Sequence, residues 1–212
     1  MTSASVQPNA WTLEEIALHF GPVELQQPLT RGQFLALADH YPDLAMERES
    51  NGITTIMTPV KKGSSKRESL LHGLLFIWNF QAGQGEVHGP NGTYDLPDGA
   101  TKMPDVSWIA SERLKDEPDD DDSFIKVVPD FVAEIRSGTD RLSKLRSKMT
   151  DTWMANGVRL AWLIDPYEEK AYVYRQGQEV EVIAGFSDKQ LSGESVLPGF
   201  ELPLAQFKVG KE

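Results

Sequence analysis

Two carboxylates and two cations in the sequence have types and spacing suited to phosphate chemistry. Asp105 stands in "MPDVSWI" (103–109) and Glu134 in "PDFVAEIRSGTD" (129–140), each close to the end of a strand-like segment next to a proline. Carboxylates projecting from adjacent strands can share one hard cation, Mg²⁺ or Mn²⁺, which takes oxygen ligands and keeps several waters. A nearby cationic group would orient a water or stabilise charge developing on a phosphate. Arg136 follows Glu134 by two residues and so shares its strand face. Lys148 lies one residue before Met149 at the border of an apolar helical stripe, which leans it toward the sheet, whereas Lys144 is turned further to solvent. A strand bearing one Glu and one Arg is also what an exposed sheet face with a weak ion pair looks like. The spacing alone leaves both readings open.

These groups must be positioned by strand, helix and strand in succession. Alternation over 130–136 puts Phe131, Ala133 and Ile135 on one face and Val132, Glu134 and Arg136 on the other. A helix over 139–155 carries the stripe Leu142, Leu145, Met149 and Trp153 or Met154, and Asn156-Gly157 stops it. "VRLAWLID" then gives a strand over 158–164, and Asp165-Pro166 turns the chain, with Asp165 as a turn cap. Such a unit forms a right-handed parallel crossover. Hairpins lie on either side, at Asn51-Gly52 and at Gln176-Gly177. The pattern also predicts helices over 12–19, 31–40 (capped by Thr30) and 64–81. The expected fold is α+β: a mixed β-sheet flanked by helices, with peripheral hairpins. An arm over 1–28 precedes a single domain over 29–212.

Composition narrows the function classes. The 212 residues hold no cysteine, which excludes disulfides and thiolate–zinc sites. No basic segment followed by an apolar one opens the sequence, and the apolar run "LLFIW" (74–78) is too short to span a bilayer, so a cytoplasmic protein is expected. A net charge of −11 argues against broad, non-specific nucleic-acid binding. The charge is uneven, however. "KDEPDDDD" (115–122) reads as a solvated acidic loop, while "VKKGSSKR" (60–67) holds Lys61, Lys62, Lys66 and Arg67 without an acid. That basic stretch, read as a loop, is the best candidate for phosphate contacts.

Taken in order, "PDVSWI", "PDFVAEIRSGTDRLSKLRSKM", "NGVRLAWLIDP", "AYVYR" and the closing "LPGFELPLAQF" resemble the bacterial restriction-endonuclease domain family of the PD-(D/E)XK nuclease superfamily, over about residues 30–207. The resemblance implies a Mg²⁺-dependent core that hydrolyses DNA phosphodiester bonds by in-line attack, leaving a 5′-phosphate. It assigns Asp105 and Glu134 to the motif's two acids and implies Glu47, in "MERESNG", as a further acidic residue. Where the superfamily usually has a lysine two residues after the second acid, this chain has Arg136, which cannot deprotonate to act as a base. Lys148 matches the helix lysine that such family members use instead. One residue is inserted between Lys148 and Gly157 relative to the usual spacing. The resemblance and the apolar hairpins also suggest a homodimer. The rival reading, favoured by Arg136 and the acidity, is a nuclease-fold module without catalysis that binds nucleic acid or protein.

Overall fold

The computed structural model describes residues 11–118, 120 and 123–210. The first ten residues of the expected arm, and Asp119, Asp121 and Asp122 of the acidic run, lie outside the described residues. The sequence shows an arm and then one domain from residue 29; the fold groups the chain into two compact units that divide between Pro59 and Val60.

In the N-terminal unit, capping boxes start both helices. Thr12 with Glu15 starts α1 (Leu13–Phe20), and Thr30 with Gln33 starts α2 (Arg31–His40); β1 (Val23–Leu25) lies between them. β2 (Met46–Arg48) and β3 (Thr54–Ile56) form the hairpin that Asn51-Gly52 predicts. Gly52 has φ +92°, and a Cβ there would lie 2.7 Å from the Leu29 carbonyl oxygen, so only glycine fits. β1 pairs on the other side of β3, setting Val23 opposite Ile56.

The C-terminal unit opens with a 21-residue helix, α3 (Lys62–Ala82). The basic stretch 60–67, read as a loop running into a helix expected over 64–81, therefore lies mostly in the first turn and a half of this helix. Lys61 occupies its N-cap position. There follow β4 (Gly85–His88), β5 (Tyr94–Asp95), β6 (Thr101–Lys102), β7 (Val106–Ala110) and β8 (Phe131–Ile135). The helix after β8 begins as α4 (Leu142–Ser147) and continues as a π-helical segment over Lys148–Met154. Next come β9 (Leu160–Asp165), β10 (Lys170–Arg175), β11 (Glu181–Ala184), β12 (Gln190–Ser192) and β13 (Glu201–Pro203).

Six of these strands form a sheet in the order β11-β10-β9-β8-β7-β4. Only β8 and β9 run parallel, joined by the α4 crossover; the other neighbours are antiparallel. The sheet is mixed, as expected, and buried on both faces. Leu71 and Leu75 of α3 pack with Phe131, Ala133, Ile135 and Trp162 on one face. Met149 and Trp153 pack with Val132, Ala161 and Leu163 on the other. The period-two alternation along β8 survives in full. No helix among the described residues is long and apolar enough to cross a membrane.

Candidate active site

β7 and β8 bring Asp105 and Glu134 together. Their antiparallel register pairs Val106 with Ala133, so the next step along sets Asp105 opposite Glu134. Asp105 is fixed by a backbone donor: the Ile135 N–H donates to its Oδ2 at 2.6 Å. Burial of this carboxyl raises its pKa well above the ordinary aspartate range, and the negative charges of Glu134 and Glu68 raise it further. The Ile135 N–H and the Lys148 ammonium oppose that rise without cancelling it.

Glu134, 4% exposed, is held from the other side by the helix. Trp153 Nε1 donates to its Oε1 at 3.0 Å, and Lys148 Nζ stands 2.8 Å from the same oxygen. Lys148 also donates to the Met103 carbonyl at 3.0 Å, two residues before Asp105. The helix lysine thus reaches both strands, as its place at the stripe's edge predicts. The helix is π-wound here. Ala155 N–H bonds to Thr150 O and Val158 N–H to Trp153 O, each spanning five residues. This wider turn takes up one more residue than an α-turn while Lys148, Met149 and Trp153 all stay on the sheet side.

The residue that sequence reasoning missed is Glu68. It lies on α3 and is 6% exposed. Its pKa is raised by burial first, then by the charges of Glu134 and Asp140. A signal was present: Ser64, Glu68, Leu71 and Leu75 are the buried positions at i, i+4, i+7 and i+11 of α3, so a carboxylate interrupts an apolar stripe.

The remaining expected site residues have the following places. Arg136 points to the turn after β9. Its Nη1 donates to Asp165 Oδ2 at 2.7 Å, its Nε to the Asp140 carbonyl at 3.3 Å, and its guanidinium lies 5.8 Å from the Tyr167 ring centre. Asp165 caps its turn as expected, accepting from the Tyr167 and Glu168 N–H groups. Glu47 is buried on β2 of the N-terminal unit, opposite Thr55. Lys61, Lys62 and Lys66 are exposed at the start of α3, whereas Arg67 is buried there. Asp130, in the Pro129-Asp130 pair, is a fold residue: it accepts from Ala110 N–H, Arg113 and Arg159.

A metal-dependent chemistry requires that these residues fit a divalent cation. All the converging donors are oxygens, and the buried carboxylates repel one another, so a cation would relieve the repulsion. Among the described residues no three His, Cys, Asp or Glu side chains are preassembled as a metal-binding group. That agrees with Mg²⁺, which is commonly bound through one or two carboxylates and retains waters. The residues fit.

The architecture is a mixed sheet with two acids at neighbouring strand ends, a third on one helix and a lysine on the other. The chain belongs to the family described as "Uma2: Putative restriction endonuclease", whose model matches residues 31–205. Its fold is shared by a solved protein described as "a putative nuclease belonging to DUF820 from Anabaena variabilis", with a TM-score of 0.70 at 23% identity, over 85% of this chain and 97% of that one. No curated protein matches.

Proposed function

We propose that this protein is a Mg²⁺- or Mn²⁺-dependent nuclease that hydrolyses phosphodiester bonds of DNA. The observation that carries the reading is the convergence on Asp105: Glu134, Glu68 and Lys148 all act electrostatically on one buried carboxyl. A structural ion pair needs one acid and one base, whereas here the buried Glu134 and Glu68 both act on Asp105 and the only charge opposing them there is that of Lys148. Asp105 and Glu134 would hold the cation, with Glu68 as a further acid beside them. Bound there, the metal would supply Lewis acidity toward a phosphate oxygen and a lowered pKa for its water.

The protein's own groups do the rest. The Ile135 N–H fixes the Asp105 carboxyl, and Trp153 fixes that of Glu134. Lys148, held against Glu134, places positive charge where phosphate charge develops and orients the attacking water. Arg136, held by Asp165, supports the strand end rather than acting as a base. Lys61, Lys62 and Lys66 sit on the same helix as Glu68 and give the strand a local positive approach in an acidic protein.

The test is cleavage of plasmid and of single-stranded oligonucleotide with Mg²⁺, with Mn²⁺ and with EDTA, comparing the native chain with Glu68→Gln. Metal-dependent cleavage that falls at least about 100-fold in the variant supports the reading. DNA binding without cleavage under any metal supports the non-catalytic alternative, for which Arg136 and the net charge of −11 are the observations.

A further inference from the structure

The C-terminal half of α3 turns an apolar face to solvent. Phe76, Ile77 and Phe80 are 52%, 57% and 80% exposed. His72, Phe76 and Phe80 stack in line along the helix, with successive ring centres 6.3 and 6.4 Å apart. From Ser69 through Gly85 the sequence holds no Asp, Glu, Lys or Arg, although 25% of the chain is charged. The other side of the helix, Leu71 and Leu75, already packs on the sheet, so the core has no use for these rings. At about 200 Å² for each large side chain, such exposures leave roughly 400 Å² of apolar surface open, which is the scale of an interaction patch.

Gly73 indicates what covers the face. It stands within the helix, one turn before Phe76 and Ile77, where glycine costs stability relative to alanine. A Cβ there would meet nothing within 4 Å, so no neighbour inside the chain requires the glycine. The missing side chain leaves a gap beside the exposed rings that a large group from outside can enter. A large group with the matching spacing lies in the same helix. Gly73, Phe76, Ile77 and Phe80 are placed symmetrically about the midpoint between 76 and 77. A twofold axis through that midpoint sets Phe80 of one copy on Gly73 of the other, and Phe76 on Ile77. The large row, Phe76 and Phe80, then enters the smaller row, Gly73 and Ile77, as a ridge enters a groove.

We propose that this face is a homodimer interface, formed by antiparallel packing of α3 on α3 of a second copy. The proposal does not depend on the nuclease reading. Charge selects the same arrangement. A chain of net charge −11 repels its own copies except through a face without acids, which this is. The antiparallel order also separates the basic starts of the two helices, leaving the two Lys66 residues about 30 Å apart along the axis. The apolar side chains of both copies cover about 800 Å². With Ser69, His72, Gln81 and Gln84 as a polar rim the total reaches roughly 1,200 Å², the lower end of standard interfaces, so a Kd in the micromolar range is expected.

Sedimentation equilibrium of the whole chain across the micromolar range should show a monomer–dimer equilibrium. Phe80→Glu sets an acid on the apolar face and should weaken association at least about tenfold while circular dichroism stays native. Gly73→Leu separates the proposal from a merely sticky patch. It adds apolar surface and helix propensity, so a sticky patch would associate more tightly, whereas the proposed packing loses its gap and weakens about tenfold. The chain has no cysteine, which makes crosslinking specific to position. Under mild oxidation Ile77→Cys, beside the axis, should form a disulfide-linked dimer. Ser69→Cys is also exposed but lies about 22 Å along the axis from its own copy, and should not. A native chain that stays monomeric, tighter or unchanged association in Gly73→Leu, or Ser69→Cys linking as readily as Ile77→Cys overturns the interface. A monomer that instead floats with phosphatidylglycerol vesicles, and no longer does so as Phe80→Glu, also overturns it and gives the face to a lipid surface.

Discussion

Lys148 Nζ lies 2.8 Å from Glu134 Oε1, the same oxygen that receives the Trp153 indole N–H at 3.0 Å. One carboxylate oxygen thus ties the β8 strand end to both ends of the π-helical segment. The ammonium also bonds to Met103 O, so the three elements that define the cleft are linked through a single side chain.

Replacing that side chain separates chemistry from folding. Lys148→Met keeps the aliphatic stem and removes the charge, and DNA cleavage should fall by about 10²–10⁴. Binding of Mn²⁺, measured by calorimetry, should persist, because the carboxylates remain. Cleavage at the native rate would make Lys148 a structural residue.

Asp105 gives a pH-dependent prediction. Its folded pKa is raised, so the folded state holds a proton that the unfolded chain gives up near pH 3.8. Stability from this group is fully present below that value and is lost as pH rises through the folded pKa. In metal-free protein at neutral pH, Asp105→Asn should therefore raise Tm, by about 2–4 °C for each kcal/mol of relieved repulsion, and abolish cleavage. The gain should vanish toward pH 3. A lower Tm for the variant at neutral pH would contradict the repulsion.

Arg136 should behave as a fold residue. Its side chain is 22% exposed, and Asp165 opposite is fully buried. Arg136→Met leaves that carboxylate without its cation and should cost roughly 3 kcal/mol, read from urea unfolding. Arg136→Lys should recover only part of this, because an ammonium cannot replace a planar fork bridging Asp165 and the Asp140 carbonyl. Full stability in Arg136→Met would assign the arginine to substrate instead.

The sequence made the crossover unit legible because its signals are local. Alternation fixed which β8 side chains share a face, and the stripe fixed the sheet side of Met149 and Trp153. The cap Thr30 set the start of α2, and the helix expected over 12–19 lies within a residue of α1. Three things were not legible. An i→i+5 turn has no residue signature, so the extra residue before Gly157 looked like a defect of registration rather than a π-segment. Glu68 was read as part of an ordinary helix, since its partners lie 37 and 66 residues away on strands. Ser64 and Ser65 look like caps, which set the start of α3 at 64, whereas the helix begins at Lys62 behind an N-cap, Lys61, that makes no side-chain capping bond.

The nuclease proposal stands or falls on a divalent cation held by Asp105 and Glu134. Calorimetric titration of Mn²⁺ into this chain at neutral pH tests it most directly. The prediction is saturable binding that Glu134→Gln and Asp105→Asn each weaken at least tenfold while circular dichroism stays native. Absence of binding in the native chain, or native affinity retained in both variants, would contradict it.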